Sequence, residues 1–319
     1  MKRFKRTAIF IAAFVAVAIQ MGCEEAQNLF YDTIGSEKYT EAQVARGRYL
    51  VENVSLCGDC HTPFGPTGPD LTRWLAGGRE FVPDALWTPN LTPDPETGIG
   101  RYTDEQLVKA ITKGLGHYRE NPEGEPLFAI MPYYVFANMT PDDVHAIIAY
   151  LRKGVQPVRN VVPERAPFII PSEPSKVLDY SSLPGADDDP GKYLTSGAGV
   201  CLECHTQRIE SAGPPDPGAL DPEKYFAGGE EFPIPGFSVR SANITSHPEN
   251  GIGEWTRDEI ITALREGENK EGLPLCPPMP QFRGLTDKDL NDVVNFVRNL
   301  PAIDNVVEEC ELVDAPPGP

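Results

Sequence analysis

Beyond residue 22 the sequence has no apolar run approaching the roughly 20 residues that a membrane-spanning helix requires, which argues against a multi-spanning membrane protein. Basic residues are also scarce, with 28 Lys and Arg against 47 Asp and Glu, for a formal charge of −19. Lys2, Arg3, Lys5 and Arg6 all fall in the first 22 residues, which hold no acid, so the rest of the chain carries 24 basic against 47 acidic residues and a net charge of −23. Such a field repels nucleic acid and anionic headgroups and favours a partner with a basic face. An extended sheet is disfavoured too. The 33 prolines and 29 glycines suit helices joined by long irregular loops, because proline cannot donate to a strand ladder.

What is present begins with "MKRFKRTAIFIAAFVAVAIQMGC", a basic start and an apolar run from Thr7 to Ile19 that reads as an export signal. Gly22-Cys23 resembles the end of a bacterial lipoprotein signal, so residues 1–22 are expected to be removed, Cys23 to be lipidated and residues 23–39 to act as a tether. Cleavage after Ala16-Val17-Ala18 and an uncleaved anchor are the alternatives. Two of the three readings attach the chain to a membrane.

The remainder is a repeat. "GRYLVENVSLCGDCHT" from Gly47 returns as "GKYLTSGAGVCLECHT" from Gly191, "LAGGREF" from Leu75 as "FAGGEEF" from Phe226, and "TPNLTPDPETGIG" from Thr88 as "SANITSHPENGIG" from Ser241. "MPYYVFANMTPDDVHAIIAYLRKG" from Met131 returns as "MPQFRGLTDKDLNDVVNFVRNLP" from Met279. Helix starts are expected at Thr40 with Gln43, Thr103 with Gln106, Thr140, Thr256 with Glu259, and Thr286, with stops at Gly114 and Gly154. Six prolines between 157 and 184 read as an extended, semi-rigid linker.

Each copy carries C-x-x-C-H: Cys57, Cys60 and His61, then Cys201, Cys204 and His205. A tetrahedral zinc site needs further cysteine or histidine ligands nearby, and neither segment supplies them. A thioredoxin-like dithiol has no use for the histidine. The spacing instead reads as c-type haem attachment, with two thiols on one turn to form thioethers and the next histidine to ligate the iron. Two motifs imply two covalent haems c. Met131 and Met279, each followed by proline at matched positions, are the expected sixth ligands, whereas Met139 aligns with Leu285 and reads as packing. The proximal ring N–H is expected on a carbonyl, with those of Pro69 and Pro214 as candidates and simple loop punctuation as the other reading. His117 and His247, in Gly- and Pro-rich loops, read as solvated, and His145, in a helix after two aspartates, carries no expected role. Of the remaining cysteines, Cys276 and Cys310 are expected to form a disulfide in an oxidising compartment.

The succession G-x-Y-L, C-x-x-C-H, G-P, A-G-G, N-[LI]-T, G-I-G and M-P over residues 40–304 resembles class I cytochrome c domains, especially those of the cytochrome subunits of membrane-bound alcohol and gluconate dehydrogenases. Those subunits commonly carry three such domains; here there are two. The resemblance implies a mainly α fold of two tandem class I cytochrome c domains with long loops, at 40–156 and 186–304. A Pro-rich linker at 157–185 joins them, and an acidic, Pro-rich tail follows at 305–319. It implies that Gly47 and Tyr49 cross the helix at Tyr150 and that Gly191 and Tyr193 meet Phe296. It also gives Asn90, Asn243, Tyr102 and Trp255 as propionate contacts, with structural hydrogen bonding as the alternative account. The expected function is an electron carrier on the periplasmic side of a bacterial membrane, between a dehydrogenase and an oxidase or another cytochrome. A diheme peroxidase with one open haem is the competing enzyme. A sensor would need a signalling module, and the segments outside the repeats are too short to hold one.

Overall fold

The computed structural model describes residues 38–65, 68–116, 124–169, 171, 173–209, 219–234 and 237–308. The expected signal, Cys23, His117, Gly213-Pro214, Cys310 and most of the tail lie outside these residues. Among the described residues are nine α-helices and four two-stranded antiparallel hairpins, so sheet content is as low as the proline content requires. No helix among them is long and apolar enough to cross a membrane.

The first half holds α1 (Glu41–Tyr49), α2 (Cys57–His61), α3 (Asp104–Lys113), α4 (Tyr133–Phe136) and α5 (Pro141–Lys153). The second holds α6 (Pro190–Ser196), α7 (Cys201–Cys204), α8 (Arg257–Glu266) and α9 (Asp287–Arg298), which repeat α1, α2, α3 and α5 in order. Thr40, Thr103 and Thr256 form complete capping boxes, and Thr140 and Thr286 accept from the backbone N–H three residues on. Each cap stabilises its helix by about 1 kcal/mol. α1 does not stop at Tyr49; it widens into a π-turn over Leu50–Val54 before the chain turns into α2.

Two helix crossings build the core. α5 buries Val144, Ile147, Ile148 and Leu151, and α9 buries Leu290, Val293, Val294 and Val297, the i, i+3, i+4, i+7 stripe of an amphipathic helix. Against these pack α1 and α6, at a separation only glycine allows. A Cβ on Gly47 would lie 1.8 Å from the Ala146 oxygen, and one on Gly191 would lie 2.3 Å from the Asp292 oxygen and 2.4 Å from Phe296 Cβ. Met139 and Leu285 are both buried at matched positions in this core, in keeping with the packing role expected of them.

The proline-rich segment does not hang free. Its Val158 carbonyl accepts from Asn90, Asn160 donates to the Ala76 carbonyl at 2.8 Å, and the Ala166 N–H bonds the Ala85 carbonyl. Further on, the backbone N–H of Ser175 donates to the Tyr133 hydroxyl. Lys192, fully buried on α6, closes the strap by donating to the Leu183 and Gly185 carbonyls and to Asp187. The second half has the same strap: Asn243 donates to the Ile303 carbonyl, and Asn305 to the Ala227 carbonyl at 2.8 Å.

The tyrosines of the two G-x-Y-L segments reach across the halves. The Tyr49 hydroxyl donates to Asp289 (2.5 Å) and accepts from the Thr286 N–H (3.2 Å) at the start of α9. The Tyr193 hydroxyl donates to Asp143 (2.7 Å) and accepts from the Thr140 N–H (3.2 Å) at the start of α5. Gly191 meets Phe296 as expected, but Tyr193 makes these polar contacts in the opposite half. Ser55 adds a bond to the Ala198 carbonyl at 2.6 Å.

Burial would raise the Asp143 carboxyl, but hydrogen bonds from Arg46 and Tyr193 outweigh it and hold the group below the usual carboxylate range. A carboxyl depressed on folding contributes stability that is complete above its ordinary value of about 3.9 and is lost as pH falls through the folded value. The double variant Tyr49→Phe, Tyr193→Phe should lose about 1.5 kcal/mol per hydroxyl. In calorimetry its two halves should unfold at separate temperatures, and the wild type should approach the same behaviour below about pH 4. A single transition, unmoved in the double variant, would refute the coupling.

Candidate functional site

α2 and α7 bring each cysteine pair onto one helical turn. Leu56, in the left-handed region at φ 51°, opens α2, and the π-turn before it sets the approach. None of the four cysteines is in a disulfide. Burial pushes the thiols of Cys57 and Cys201 up to about 12 and that of Cys60 to about 11, and raises Cys204 as well. Such thiols stay protonated, which is the opposite of a dithiol switch poised to attack. Among the described residues no group of three or more His, Cys, Asp or Glu side chains could hold a metal ion, which leaves the zinc reading without ligands.

Both histidines are buried and each is held by one carbonyl. His61 Nδ1 lies 2.9 Å from the Pro89 oxygen and His205 Nδ1 lies 2.7 Å from the Ala242 oxygen. A carbonyl can only accept, so Nδ1 carries the proton and Nε2 presents its lone pair. Burial keeps both rings neutral: it lowers His61 to about 4 and His205 below its usual value, despite the carbonyl bond that works the other way. A neutral imidazole with Nε2 free and Nδ1–H anchored is the form that ligates a metal.

The anchoring carbonyls are not the ones expected from the G-P dipeptides. Pro69 pairs with Phe64 in a hairpin, and Pro214 lies outside the described residues. The A-G-G turns select Pro89 and Ala242 instead. Gly77 donates to the His61 carbonyl at 2.7 Å and Gly228 to that of His205 at 2.8 Å. Both glycines have positive φ, 69° and 70°, and a Cβ on either would lie 2.4 Å from the carbonyl carbon of Pro89 or Ala242. The glycine thus lets the carbonyl strand press against the histidine turn. Asn90 and Asn243 complete the frame by accepting from the Thr92 and Thr245 N–H groups and donating to the straps. Their hydrogen bonds are structural, and the propionate account of these two residues is not needed.

Two observations test the fit of a haem. Trp74 covers Gly58 within the CGDCH turn, where a Cβ would lie 1.8 Å from its ring. Its Nε1 is buried on the side of the Tyr150 hydroxyl, which burial raises and the indole contact partly offsets. A flat aromatic wall beside the attachment turn suits a planar, apolar cofactor. Cys201 lines a small apolar cavity with Leu194, Leu264, Phe282 and Leu285, to which Val54 of the first half also contributes. Phe282 and Leu285 follow Met279 in the chain, so the cysteine turn and the methionine segment border one space. The paired thiols, the anchored histidines and these apolar walls are the groups that a covalently bound haem calls for.

Met131 and Met279 are half-buried against the core, each just before a proline, Met131 ahead of α4 and Met279 in an irregular segment. Cys276 is disulfide-bonded, three residues before Met279. His145 is an exposed helical residue bonded to the Pro141 carbonyl. His247 departs from the solvated reading: it is half-buried and its Nδ1 accepts from the Asn250 N–H at 3.0 Å. A network missed from the sequence surrounds the second turn. Tyr134, fully buried on α4, donates to Glu203, which pairs with Arg208, which pairs with Glu230 at 2.5 Å. At Cys60 burial raises the thiol most, the neighbouring Arg79 and Asp59 act next in opposite directions, and Glu203 of the other turn contributes least.

Residues 44–154 match the cytochrome c family model. The chain is 30% identical, over 92% of its own length and 60% of the relative's, to the cytochrome c subunit of alcohol dehydrogenase (quinone) from Gluconobacter oxydans. It is 28% identical, over 81% of its length and 53% of the relative's, to the fructose dehydrogenase cytochrome subunit of Gluconobacter japonicus. It is 26% identical, over 78% of its length and 83% of the relative's, to a diheme cytochrome c-type protein of Cereibacter sphaeroides. The chain therefore spans little more than half the length of the dehydrogenase subunits it matches. Residues 44–154 are a cytochrome c domain, which implies covalently bound haem c, in a chain similar to the cytochrome subunits of alcohol dehydrogenase (quinone) and fructose dehydrogenase.

Proposed function

We propose that the chain is a diheme c-type cytochrome that carries electrons from a dehydrogenase toward an oxidase or another cytochrome, and is not itself an enzyme. It comprises two tandem class I cytochrome c domains, at 40–156 and 186–304, joined by the proline-rich segment 157–185. It works on the periplasmic side of a bacterial membrane, held there by a lipid on Cys23 after removal of residues 1–22. The observation that carries this reading is the duplicated site. Each half sets a neutral, carbonyl-anchored histidine directly after a pair of half-buried thiols.

Cys57, Cys60, Cys201 and Cys204 hold the cofactors covalently. His61 and His205 would hold the iron through Nε2, and Met131 and Met279 through their sulfurs. Haem c supplies a one-electron iron couple, and thioether ligation raises its potential. The protein's part is to fix the imidazole tautomer, hold each thiol pair on one turn and supply the nitrogen and sulfur donors that the iron would need. With acid in excess over most of the chain, partners with basic docking faces are favoured over nucleic acid.

The mass of the denatured protein should exceed that of the polypeptide by two haems, resistant to acid-acetone extraction, and Cys204→Ser should release only one. A single haem, or none, refutes the reading.

Met131→Ala and Met279→Ala should each open one site and lower its potential, with loss of the sulfur-to-iron absorption near the red end of the oxidised spectrum. The wild type should bind carbon monoxide poorly when reduced. Fast stoichiometric binding with peroxide turnover would favour the peroxidase.

Cys276 pairs with Cys310 in this proposal, which ties the chain end to the methionine segment and contributes about 3–4 kcal/mol by loop closure. Peptide mapping after alkylation without reductant should recover the two joined. Recovery of Cys310 as a labelled thiol refutes the pairing.

A further inference from the structure

The two cysteine turns sit in matched frames that differ in charge at two positions, 64 against 208 and 79 against 230. Arg79 and Glu230 both follow the A-G-G turn. Arg79 exchanges hydrogen bonds with Thr88, N–H to hydroxyl and carbonyl to N–H, and Glu230 does the same with Ser241. Their side chains turn toward the motifs. The Arg79 guanidinium donates to the Asp59 carbonyl, between Cys57 and Cys60, and stacks over Phe64 at 4.4 Å and Phe81 at 5.1 Å. Glu230 meets Arg208 at 2.5 Å, and Arg208 pairs with Glu203 between Cys201 and Cys204. Arg208 stands where the first half has Phe64. Around these positions the signs agree between the halves: Asp59 with Glu203, Asp70 with Asp221, Arg73 with Lys224, Glu80 with Glu231. Asp59 and Arg79 cancel at the first turn, whereas Glu203, Arg208 and Glu230 leave one negative charge at the second.

We infer that the exchange of Arg79 for Glu230 sets the two haem sites at unequal reduction potential, with the site of the second repeat below that of the first. The inference rests on the two-haem reading above. Three other levers on potential match between the sides: a histidine anchored on one carbonyl, a methionine before proline, and half-buried thiols. A carboxylate near the iron favours the ferric state, which carries the extra positive charge, and a guanidinium favours the ferrous state. Glu203, Arg208 and Glu230 are largely shielded from solvent, with side-chain exposures of 13, 22 and 17%, so water and salt screen them less than surface charges. Within the second turn, Glu203 also acts on His205.

The test is spectroelectrochemical titration of the purified protein with both haems in place. Two one-electron steps should be resolved. Glu230→Gln, which keeps an acceptor for the Arg208 N–H, should raise the lower step alone by about tenfold in its equilibrium constant, about 59 mV for one electron. Arg79→Gln should lower the upper step alone, and it decides the matter if the other variant fails to fold. A single unsplit potential, or a Glu230→Gln shift in the upper step, overturns the inference while leaving a diheme carrier intact. Fewer than two covalent haems would overturn the carrier reading itself.

Discussion

One hydrogen bond in each half organises the rest: the imidazole N–H of His61 on the Pro89 carbonyl, and that of His205 on Ala242. It fixes the tautomer, and so decides which ring nitrogen is available to ligate. A carbonyl 28 residues down the chain from His61 cannot reach the ring unless the intervening loop is folded back and held. The A-G-G turn brings the strand in, the asparagine turn braces it, and the strap beyond α5 or α9 closes over both. Loops that carry little regular structure are thus ordered by their polar side chains, as buried backbone groups require.

The same logic separates what could be read from the sequence from what could not. Helix starts at Thr40, Thr103 and Thr256, and the cysteine turns themselves, are local patterns: their partners lie within four residues, and spacing alone specifies them. Gly47 and Gly191 were legible through resemblance, because a close helix crossing leaves a glycine wherever it occurs. The acceptors for the histidines were not legible, since Pro89 and Ala242 contribute only backbone and no residue type marks a carbonyl. The signal that could have found them was the paired glycines of A-G-G, whose joint requirement for positive φ and close approach implies a strand pressed against them. Proline density suggested a spacer at 157–185. Side-chain bonds from Asn90 and Asn160 turn the start of that segment into part of the first half's wall, and Lys192 ties its end to the second half.

The network linking Tyr134, Glu203, Arg208 and Glu230 was invisible for a different reason. Its members belong to both repeats, and aligning the repeats with each other discards what differs between them. Phe282 stands where the first half has Tyr134, so only one of the two methionine segments carries a hydroxyl toward the neighbouring turn. Duplication supplies two equal frames. The exchanges at 64 and 208, 79 and 230, and 134 and 282 make them unequal.

The tyrosine contacts described above have a symmetry that bears on origin. Residue 49 of one repeat meets residues matched to 140 and 143 in the other, while residue 193, the match of 49, meets 140 and 143 themselves. A surface that touches its own copy in this reciprocal way is isologous, the form of a two-fold homodimer. The fused chain keeps that dimer-like interface inside a single polypeptide. Tethering makes the encounter of its halves independent of protein concentration, which frees each copy to diverge without losing its partner.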